Sequence, residues 1–176
     1  MDPRRERGAV VGRIDPPDPL PELVAMTAPR GGSAPITIAA LAHCKPLVSP
    51  FLGWAAALAL EGALGKRQHE MLALRTAHNC RSAFEWSEHS RFAREAGLSE
   101  DEINRVAIGA TGGWSRPEQL LIAAADELHA STSISSSTWT ELAENFTPAE
   151  LVEAIYVVGQ YTMLSMVANV ATERDD

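Results

Sequence analysis

The chain has 176 residues, of which 45% are hydrophobic and 22% are charged, as expected for one globular domain with its own core. Its net charge of −8 repels nucleic-acid phosphates, and no basic stripe offsets it, so we expect no nucleic-acid partner. Cys44 and Cys80 form no CxxC pair and support neither a disulfide framework nor a cysteine-based zinc site. No apolar leader segment follows Arg4, Arg5 and Arg7, so we expect a cytoplasmic protein with reduced thiols.

Residues 1–35 differ in composition from the rest of the chain. They are rich in proline, glycine and arginine, and they include Pro16, Pro17, Pro19 and Pro21. Proline removes backbone hydrogen-bond donors, so we expect an extended N-terminal arm rather than a folded layer. The folded domain is therefore predicted to span residues 36–176.

Helical signals dominate from residue 36 onward, and no strand-length alternation of apolar and polar residues stands out. Pro46 is expected to stop the first helix, and Gly97 to end another in the left-handed conformation. Capping boxes, in which Ser or Thr precedes Glu by three residues, mark further helix starts. They are Ser99 with Glu102, Ser115 with Glu118, Thr138 with Glu141, and Thr147 with Glu150. The sequence predicts an all-α multi-helix bundle with helices at 36–45, 50–63, 66–78, 80–96, 100–109, 116–130, 139–146 and 147–171.

The last predicted helix contains a run of 19 residues without a charge, from Ala154 to Thr172. That length is close to what a bilayer span requires. However, Gln160, Asn169 and several hydroxyl side chains make its transfer into lipid much less favourable. We therefore expect a helix buried on most sides, in the core or at a subunit contact, and no membrane partner.

Three polar residues share one face of the helix predicted at 80–96. Ser82, Glu85 and His89 are spaced by three and four residues, which places them in the stripe that should face the core. A buried carboxylate is costly unless it is paired, neutralised or beside water. Glu70 lies on the preceding helix, and a short connection would make the two helices antiparallel neighbours. Two carboxylates and an imidazole around one pocket would form an acid–base site, and a purely structural Glu–His hydrogen bond is the alternative.

The segment HEMLALRTAHNCRSAFEWSEHSRFAREAGLSEDEI resembles the core motif of the carboxymuconolactone decarboxylase and alkylhydroperoxidase D-like (AhpD-like) superfamily. The similar features are a glutamate before an apolar-Leu-Arg run, a C-R-x-x-aromatic-E-W-x-x-H block, and the pattern A-x-x-A-G-L-S-x-x-E-I. ALAH at 40–43 and VGQYTMLSMVANV at 158–170 resemble the same superfamily, so the likeness covers about residues 36–171. It implies an all-helical bundle that assembles as a homo-oligomer, either a trimer or hexamer or, as the smaller alternative, a dimer.

The chain departs from the peroxidase branch of that superfamily at the residues that carry its redox chemistry. That branch resembles E-x11-C-x2-C-x3-H, which matches Glu70 and His89 but places Ser82 and Glu85 at the two cysteine positions. Peroxide reduction by a dithiol needs an attacking thiolate and a nearby resolving thiol, so a CxxC peroxidase is not expected. The resemblance then favours the decarboxylase branch, which uses neither a cysteine pair nor a cofactor.

We therefore predict a cofactor-free acid–base enzyme, a lyase, isomerase or decarboxylase, acting on a small carboxylated or lactone-type substrate. In this prediction Glu70 orients His89, while His89 and Glu85 transfer protons and Ser82 hydrogen-bonds the substrate. Two alternatives stay open. One is a non-catalytic oligomeric module that binds a small ligand, and the other is a single-cysteine peroxidase that uses Cys80.

Four further residues are candidates for substrate binding, each with a structural alternative. Cys80 is either a redox-sensitive thiol or a packing residue, and His43 either reaches the pocket or is a satisfied core histidine. Arg75 either anchors a substrate carboxylate or forms a structural ion pair, and Trp86 could line an aromatic pocket. Glu88 could join the three acid–base residues around a divalent metal, but no second well-placed histidine accompanies them, so we expect no metal.

Overall fold

The computed structural model describes residues 13–18, 20, 23 and 34–172. No strand occurs in that part of the chain, and the predicted all-α fold is confirmed. The α-helices of residues 34–172 are α1 (Ile36–Leu41), α2 (Lys45–Leu60), α3 (Lys66–Asn79), α4 (Ala83–Glu95), α5 (Glu100–Ile108), α6 (Arg116–Ser131), α7 (Ser136–Asn145) and α8 (Pro148–Thr172). A short 3-10 helix, Ala42–Cys44, joins α1 to α2.

Most of the predicted N-terminal arm, residues 1–35, lies outside the described residues. Leu23 is described, and it is buried against Ala42 and Val48, with Leu20 packed beside them. This small apolar cluster connects the arm to the start of α2 in the same chain.

Helix α3 lies at the centre of the bundle and packs against α4, α5, α6 and α8. Seven of its 14 residues are buried, because neighbouring helices surround it. Leu72 belongs to an apolar cluster shared with α6 and α8, whereas Met71 and Leu74 belong to a second cluster shared with α4, α5 and α6. Packing on several sides fixes the helix that carries Glu70.

Capping chemistry sets most of the helix starts. The predicted boxes at Ser99, Ser115 and Thr147 are confirmed, because in each case the glutamate three residues later accepts from the N–H of the capping residue. Gly97 has a φ of +90°, as expected for a left-handed C-terminal cap. The prediction of a capping box at Thr138 is wrong. Helix α7 begins at Ser136, and Ser135 caps it by accepting a hydrogen bond from the Thr138 N–H at 3.4 Å.

Two other predicted helix boundaries are wrong, one at the start of α2 and one between α3 and α4. Pro46 does not stop a helix but lies in the first turn of α2, where a backbone N–H has no intrahelical acceptor to lose. The helix predicted from residue 80 begins at Ala83, and Cys80 instead caps the C-terminus of α3. Both errors arise where one helix closely follows another, because helical periodicity does not show which helix a short junction belongs to.

The turn between α3 and α4 is three residues long and makes the two helices antiparallel neighbours, as predicted. The Ser82 N–H donates to the Ala77 carbonyl at 2.9 Å, and the Arg81 N–H donates to the His78 carbonyl at 3.0 Å. Arg81 adopts a φ of +54°, in the left-handed region that a side chain with a Cβ disfavours. This turn places the start of α4 beside α3 and therefore determines which residues of the two helices meet.

The charge-free run of α8 is buried on about half of its surface rather than on most sides. Val157, Tyr161 and Leu164 face the apolar core, while Met163 and Met166 are exposed. By length and composition alone, Pro148–Thr172 and Ile36–Leu60 could each cross a membrane, and 50% of the relevant window of α8 is buried inside the protein. The core thus explains one side of α8, and the other side is exposed among the residues that the structure describes.

We expect Arg81→Gly to stabilise the protein by about 0.5–1 kcal/mol, because glycine adopts the left-handed conformation without steric cost. Urea denaturation at an unchanged m-value would measure this gain. Arg81→Ala is the matched control, since it removes the same side chain but keeps the Cβ. An equal gain in Arg81→Ala would show that the arginine side chain, and not the backbone conformation, is responsible.

Candidate active site

The imidazole of His89 lies between two carboxyl groups. Its Nδ1 is 2.7 Å from Oε2 of Glu70, and its Nε2 is 3.6 Å from Oε2 of Glu85. Glu70 comes from α3, whereas Glu85 and His89 are one turn apart on α4. The predicted meeting of these three side chains is therefore present, with one carboxyl group at each ring nitrogen.

Burial dominates the electrostatics of Glu85. Glu85 is 3% exposed, and His89 is 7% exposed. Loss of water disfavours the charged form, so burial raises the pKa of Glu85, while the nearby His89 opposes that rise. A hydrogen bond from the Thr37 hydroxyl, which comes from α1, also lowers the pKa of Glu85. The carboxyl group therefore holds its proton to a higher pH than a glutamate in water.

The contacts of His89 assign different roles to its two nitrogens. Because a carboxylate can only accept, Nδ1 donates its hydrogen to Glu70. In the neutral ring, Nε2 then carries a lone pair, and it faces the Glu85 carboxyl group. A proton can thus reside on Glu85 or on Nε2, while Glu70 fixes the tautomer and stabilises the imidazolium form.

Tyr161 packs against the ring of His89 and also contacts His69. The rings of Tyr161 and His89 meet edge to face, with centroids 4.3 Å apart. Burial and the carboxyl groups of Glu70 and Glu85 raise the pKa of Tyr161, and burial lowers the pKa of His69. Both groups are therefore neutral at neutral pH, and the Tyr161 hydroxyl forms a hydrogen bond with Nε2 of His69 at 2.9 Å. This neutral pair supports the His89 ring without adding a charge.

Ser82 and Trp86 lie beside the three acid–base residues but have structural contacts. Ser82 is the N-cap of α4, and its Oγ accepts from the Glu85 N–H at 3.4 Å. Trp86 packs against the apolar cluster that contains Met71, and its ring lies 6.1 Å from that of His78. In this geometry Ser82 orients the first turn of α4, which carries Glu85.

Arg75 and Cys80 are not brought to the acid–base residues. The guanidinium of Arg75 binds Asp126, with Nη2 to Oδ2 at 3.0 Å, and also donates to the Val106 carbonyl at 3.0 Å. These contacts match the structural ion pair that was one of its two predicted roles. Cys80 lies at the end of α3, where its Sγ is 3.8 Å from Nδ1 of His129.

A cavity of about 600 Å³ lies next to Thr37. Leu41 and Val167 contribute apolar wall, and His43 and Arg13 contribute polar groups. Thr37 lines this cavity and also bonds to Glu85, so it connects the cavity to the buried acid–base residues. His43, a predicted binding residue, is thus at the cavity and not in the core. Its Nε2 is 2.8 Å from the Asp15 carbonyl oxygen.

Sequence reasoning missed the contributions of Thr37 and His69. Thr37 is the polar residue of a short apolar helix, and His69 directly precedes Glu70. A polar residue in an apolar helix is the signal that could have pointed to Thr37, since such groups need partners. No such signal marks His69, whose helix begins with Lys66, Arg67 and Gln68. The described residues contain no group of three His, Cys, Asp or Glu side chains arranged to hold a metal ion.

Comparisons with known proteins place this site in a family context. Residues 50–126, which include Glu70, Glu85 and His89, match the model of the carboxymuconolactone decarboxylase family. A solved structure of an uncharacterized peroxidase-related protein from Silicibacter sp. TM1040 is 17% identical and has a TM-score of 0.79, covering 95% of this chain and 93% of that chain. The family match covers 77 of the 176 residues, and the solved structure shares the helical fold of the chain.

A second solved structure has the same fold as this chain. It is an alkylhydroperoxidase AhpD core, an uncharacterized peroxidase-related protein from Ralstonia eutropha JMP134. It is 18% identical, with a TM-score of 0.79, and the match covers 94% of this chain and 93% of that one. At these identities the two structures establish the AhpD-like fold and no activity. No curated protein sequence matches the chain.

We expect Glu85→Gln to stabilise the protein at pH 7–8 but not in acid. Because the pKa of Glu85 is raised on folding, the unfolded chain loses its proton first as pH rises above the ordinary value of 4.5. Stability therefore falls with rising pH up to the folded pKa, and Gln removes that loss. Melting temperatures of both proteins from pH 4 to 8 would test this, and a constant difference across the range would contradict it.

Tyr161→Phe should destabilise the protein by about 1–3 kcal/mol, because it leaves the buried Nε2 of His69 without its hydrogen-bond partner while it keeps the ring contact with His89. Chemical denaturation would measure the loss. In the matched variant Tyr161→Phe with His69→Leu, both polar partners are removed and part of the loss should be recovered. No recovery would show that the hydrogen bond is not its source.

Proposed function

We propose that the protein is a cofactor-independent acid–base enzyme of the lyase, isomerase or decarboxylase type, acting in the cytoplasm on a small carboxylated or lactone-type substrate. The observation that carries this proposal is the enclosed arrangement of Glu70, His89 and Glu85, with a carboxyl group at each nitrogen of one imidazole. A buried carboxyl group with a raised pKa beside a histidine, as at Glu85, is typical of sites that move protons.

The two carboxyl groups are suited to different tasks. Glu70 accepts from Nδ1 and so keeps the Nε2 lone pair of His89 directed at the reaction side. Burial raises the pKa of Glu85, which favours its protonated form and suits the carboxyl group to donate that proton. In the proposed cycle Nε2 removes a proton from the substrate, and Glu85 delivers one to a developing oxyanion or carbanion. The proton taken up by Nε2 then passes to the Glu85 carboxylate, which restores the neutral imidazole and the carboxylic acid for the next cycle.

The cavity beside Thr37 supports a small organic acid or lactone as the substrate. Its walls at Leu41 and Val167 suit an apolar carbon skeleton, and the guanidinium of Arg13 suits a carboxylate. Thr37 separates this space from Glu85, so substrate would reach the proton donor by displacing or bonding to its hydroxyl. The proposal requires no metal and no redox group.

A second candidate function, a single-cysteine peroxidase, has one observation in its favour. The Sγ of Cys80 is 3.8 Å from Nδ1 of His129, and an imidazole can promote thiolate formation. This contact is at the surface, in a part of the protein that does not include Glu85 or His89. A non-catalytic ligand-binding module is the third alternative, and it would use the same cavity without turnover.

We expect His89→Ala and Glu85→Gln each to lower kcat/KM by about 10²–10⁴-fold, the range for loss of a general acid or base. Glu70→Gln should lose about 10–100-fold, since it removes a charge-assisted hydrogen bond worth about 1.5–3 kcal/mol. The assay would follow turnover of a panel of γ-lactones and 3-oxo acids. Unchanged turnover in both His89→Ala and Glu85→Gln would rule out the proposed site.

Cys80→Ser provides the matched control for this assay. It should leave lactone or 3-oxo acid turnover unchanged, because Cys80 lies outside the acid–base site. Consumption of hydrogen peroxide by the wild-type protein that disappears in Cys80→Ser would instead favour the peroxidase. Saturable thermal stabilisation by a panel compound, with no product formed, would favour the binding module.

A further inference from the structure

A second cavity lies beside α1 and α4, and we call it the α1–α4 cavity. Its volume is about 530 Å³, which is within the usual range for small-molecule sites in proteins. Its lining residues include Pro17, Leu23, Pro35, Ala39, Phe84 and Glu88. Ala39 of α1 lines this cavity, whereas Thr37 and Leu41 of the same helix line the cavity described above. The two cavities therefore lie on different sides of α1.

The wall of the α1–α4 cavity is largely apolar and contains one carboxyl group. Leu23, Pro35 and Ala39 contribute hydrocarbon, and Phe84 contributes a partly buried aromatic ring. Of the described residues that line the cavity, only Glu88 carries a charged side chain. Phe84 and Glu88 are four residues apart on α4, so the ring and the carboxyl group lie side by side on the helix. Such a wall suits a molecule with an apolar body and one strong hydrogen-bond donor.

The carboxyl group of Glu88 is weakly paired within the described part of the chain. Its ionic partner there is Arg91, with Oε2 and Nη2 3.8 Å apart, which is longer than a hydrogen bond. Arg91 has other contacts, since its Nη1 donates to Oε1 of Glu95 at 3.3 Å. Its guanidinium also lies over the ring of Phe92, 4.1 Å from the centroid. Glu88 therefore keeps acceptor capacity that a donor in the cavity can use.

Charge favours an organic cation as the ligand of this cavity. Glu88 and the net charge of −8 both repel an anion. The cavity on the other side of α1 differs, because Arg13 and His43 line it and their side chains can donate to an acid. An ammonium group has three N–H donors and no acceptor, so it can bond to Glu88 while its carbon skeleton stays against the apolar wall. The nearby ring of Phe84 also attracts a cation through its face.

Glu88 also connects the α1–α4 cavity to the acid–base residues through its charge. It lies three residues after Glu85 on the same helix. Burial is the main cause of the raised pKa of Glu85, and the like charge of Glu88 adds to that rise. A cation held at Glu88 offsets this repulsion. A ligand of the α1–α4 cavity therefore changes the electrostatic environment of Glu85 without occupying the space beside Thr37.

We propose that the α1–α4 cavity binds a primary ammonium ion that carries a short aryl or alkyl chain, with the nitrogen at Glu88 and the apolar part against Phe84 and Pro35. Such an ion is an effector of the acid–base residues and not their substrate. Its binding is independent of the proposed function, whereas any effect on turnover rests on that function.

Isothermal titration calorimetry of the full-length protein with 2-phenylethylammonium tests the site. The ion should bind saturably with a Kd of about 1 mM or below, as expected for a ligand of this size. The matched probe is 2-phenylethanol, which keeps the ring and chain but has no charge, and it should bind at least about 10-fold more weakly. Two results would overturn the proposal: no saturable binding of the ion up to about 20 mM, or equal affinity for the alcohol.

Two charge variants of α4 should change the affinity in opposite directions. Glu88→Gln keeps the shape of the side chain but removes its charge, so it should weaken binding of 2-phenylethylammonium by about 10-fold. Arg91→Gln removes the competing cation and should tighten binding by about 2–3-fold. Glu144→Gln is the matched control, because it removes one negative charge from an exposed residue of α7 and should bind like the wild type. Wild-type affinity in Glu88→Gln, or weaker binding by Arg91→Gln, would contradict the proposal.

Ala39→Leu tests the apolar end of the cavity without a change of charge. The larger side chain occupies space on the α1 side, so it should weaken binding of the ion by at least about 10-fold. The melting temperature, measured in parallel, shows whether the variant is folded, and Glu88→Gln tests the same cavity from α4. Wild-type affinity in a folded Ala39→Leu variant would place the ion outside the α1–α4 cavity and refute the assignment.

Discussion

The arrangement of the site depends on a carboxyl group that folding removes from water. Glu85 is 3% exposed, and its burial is tolerated because Thr37 and His89 supply polar partners in an apolar interior. The short turn at Arg81 and the N-cap at Ser82 hold the start of α4 against α3, so Glu85 cannot turn toward solvent without disrupting the packing of both helices. The fold therefore maintains a proton-binding group in a low-dielectric environment.

In this chain, residues of different chemistry occupy the two positions at which the peroxidase pattern has cysteines. Ser82 caps the helix, and Glu85 provides the buried carboxyl group, while Glu70 and His89 keep the relation to each other that the pattern implies. A helix N-terminus that can activate a thiolate also affects a carboxyl group, since both are anions near the same backbone dipoles. The same helical scaffold can thus support proton transfer where the sulfur pair is absent.

Local signals in the sequence predicted much of the fold and the three central site residues. The capping boxes at Ser99, Ser115 and Thr147 are short-range hydrogen bonds, and the Glu85–His89 pair is an i,i+4 contact, so both are visible in linear spacing. The contact of Thr37 with Glu85 joins residues 48 positions apart, and no local pattern encodes it. Likewise, the charge-free run in α8 has apolar residues on both its buried and its exposed sides, so the sequence alone could not show that only half of it enters the core.

The Thr37–Glu85 hydrogen bond links occupancy of the cavity to a protonation equilibrium. The hydroxyl donor stabilises the ionised carboxylate in preference to the neutral acid, and it belongs to a residue that lines the cavity. A molecule that displaces this donor shifts Glu85 toward its protonated form, and thermodynamic reciprocity requires protonation of Glu85 to strengthen binding of that molecule by the same free energy. The affinity of such a molecule therefore varies with pH even when the molecule itself has no titratable group.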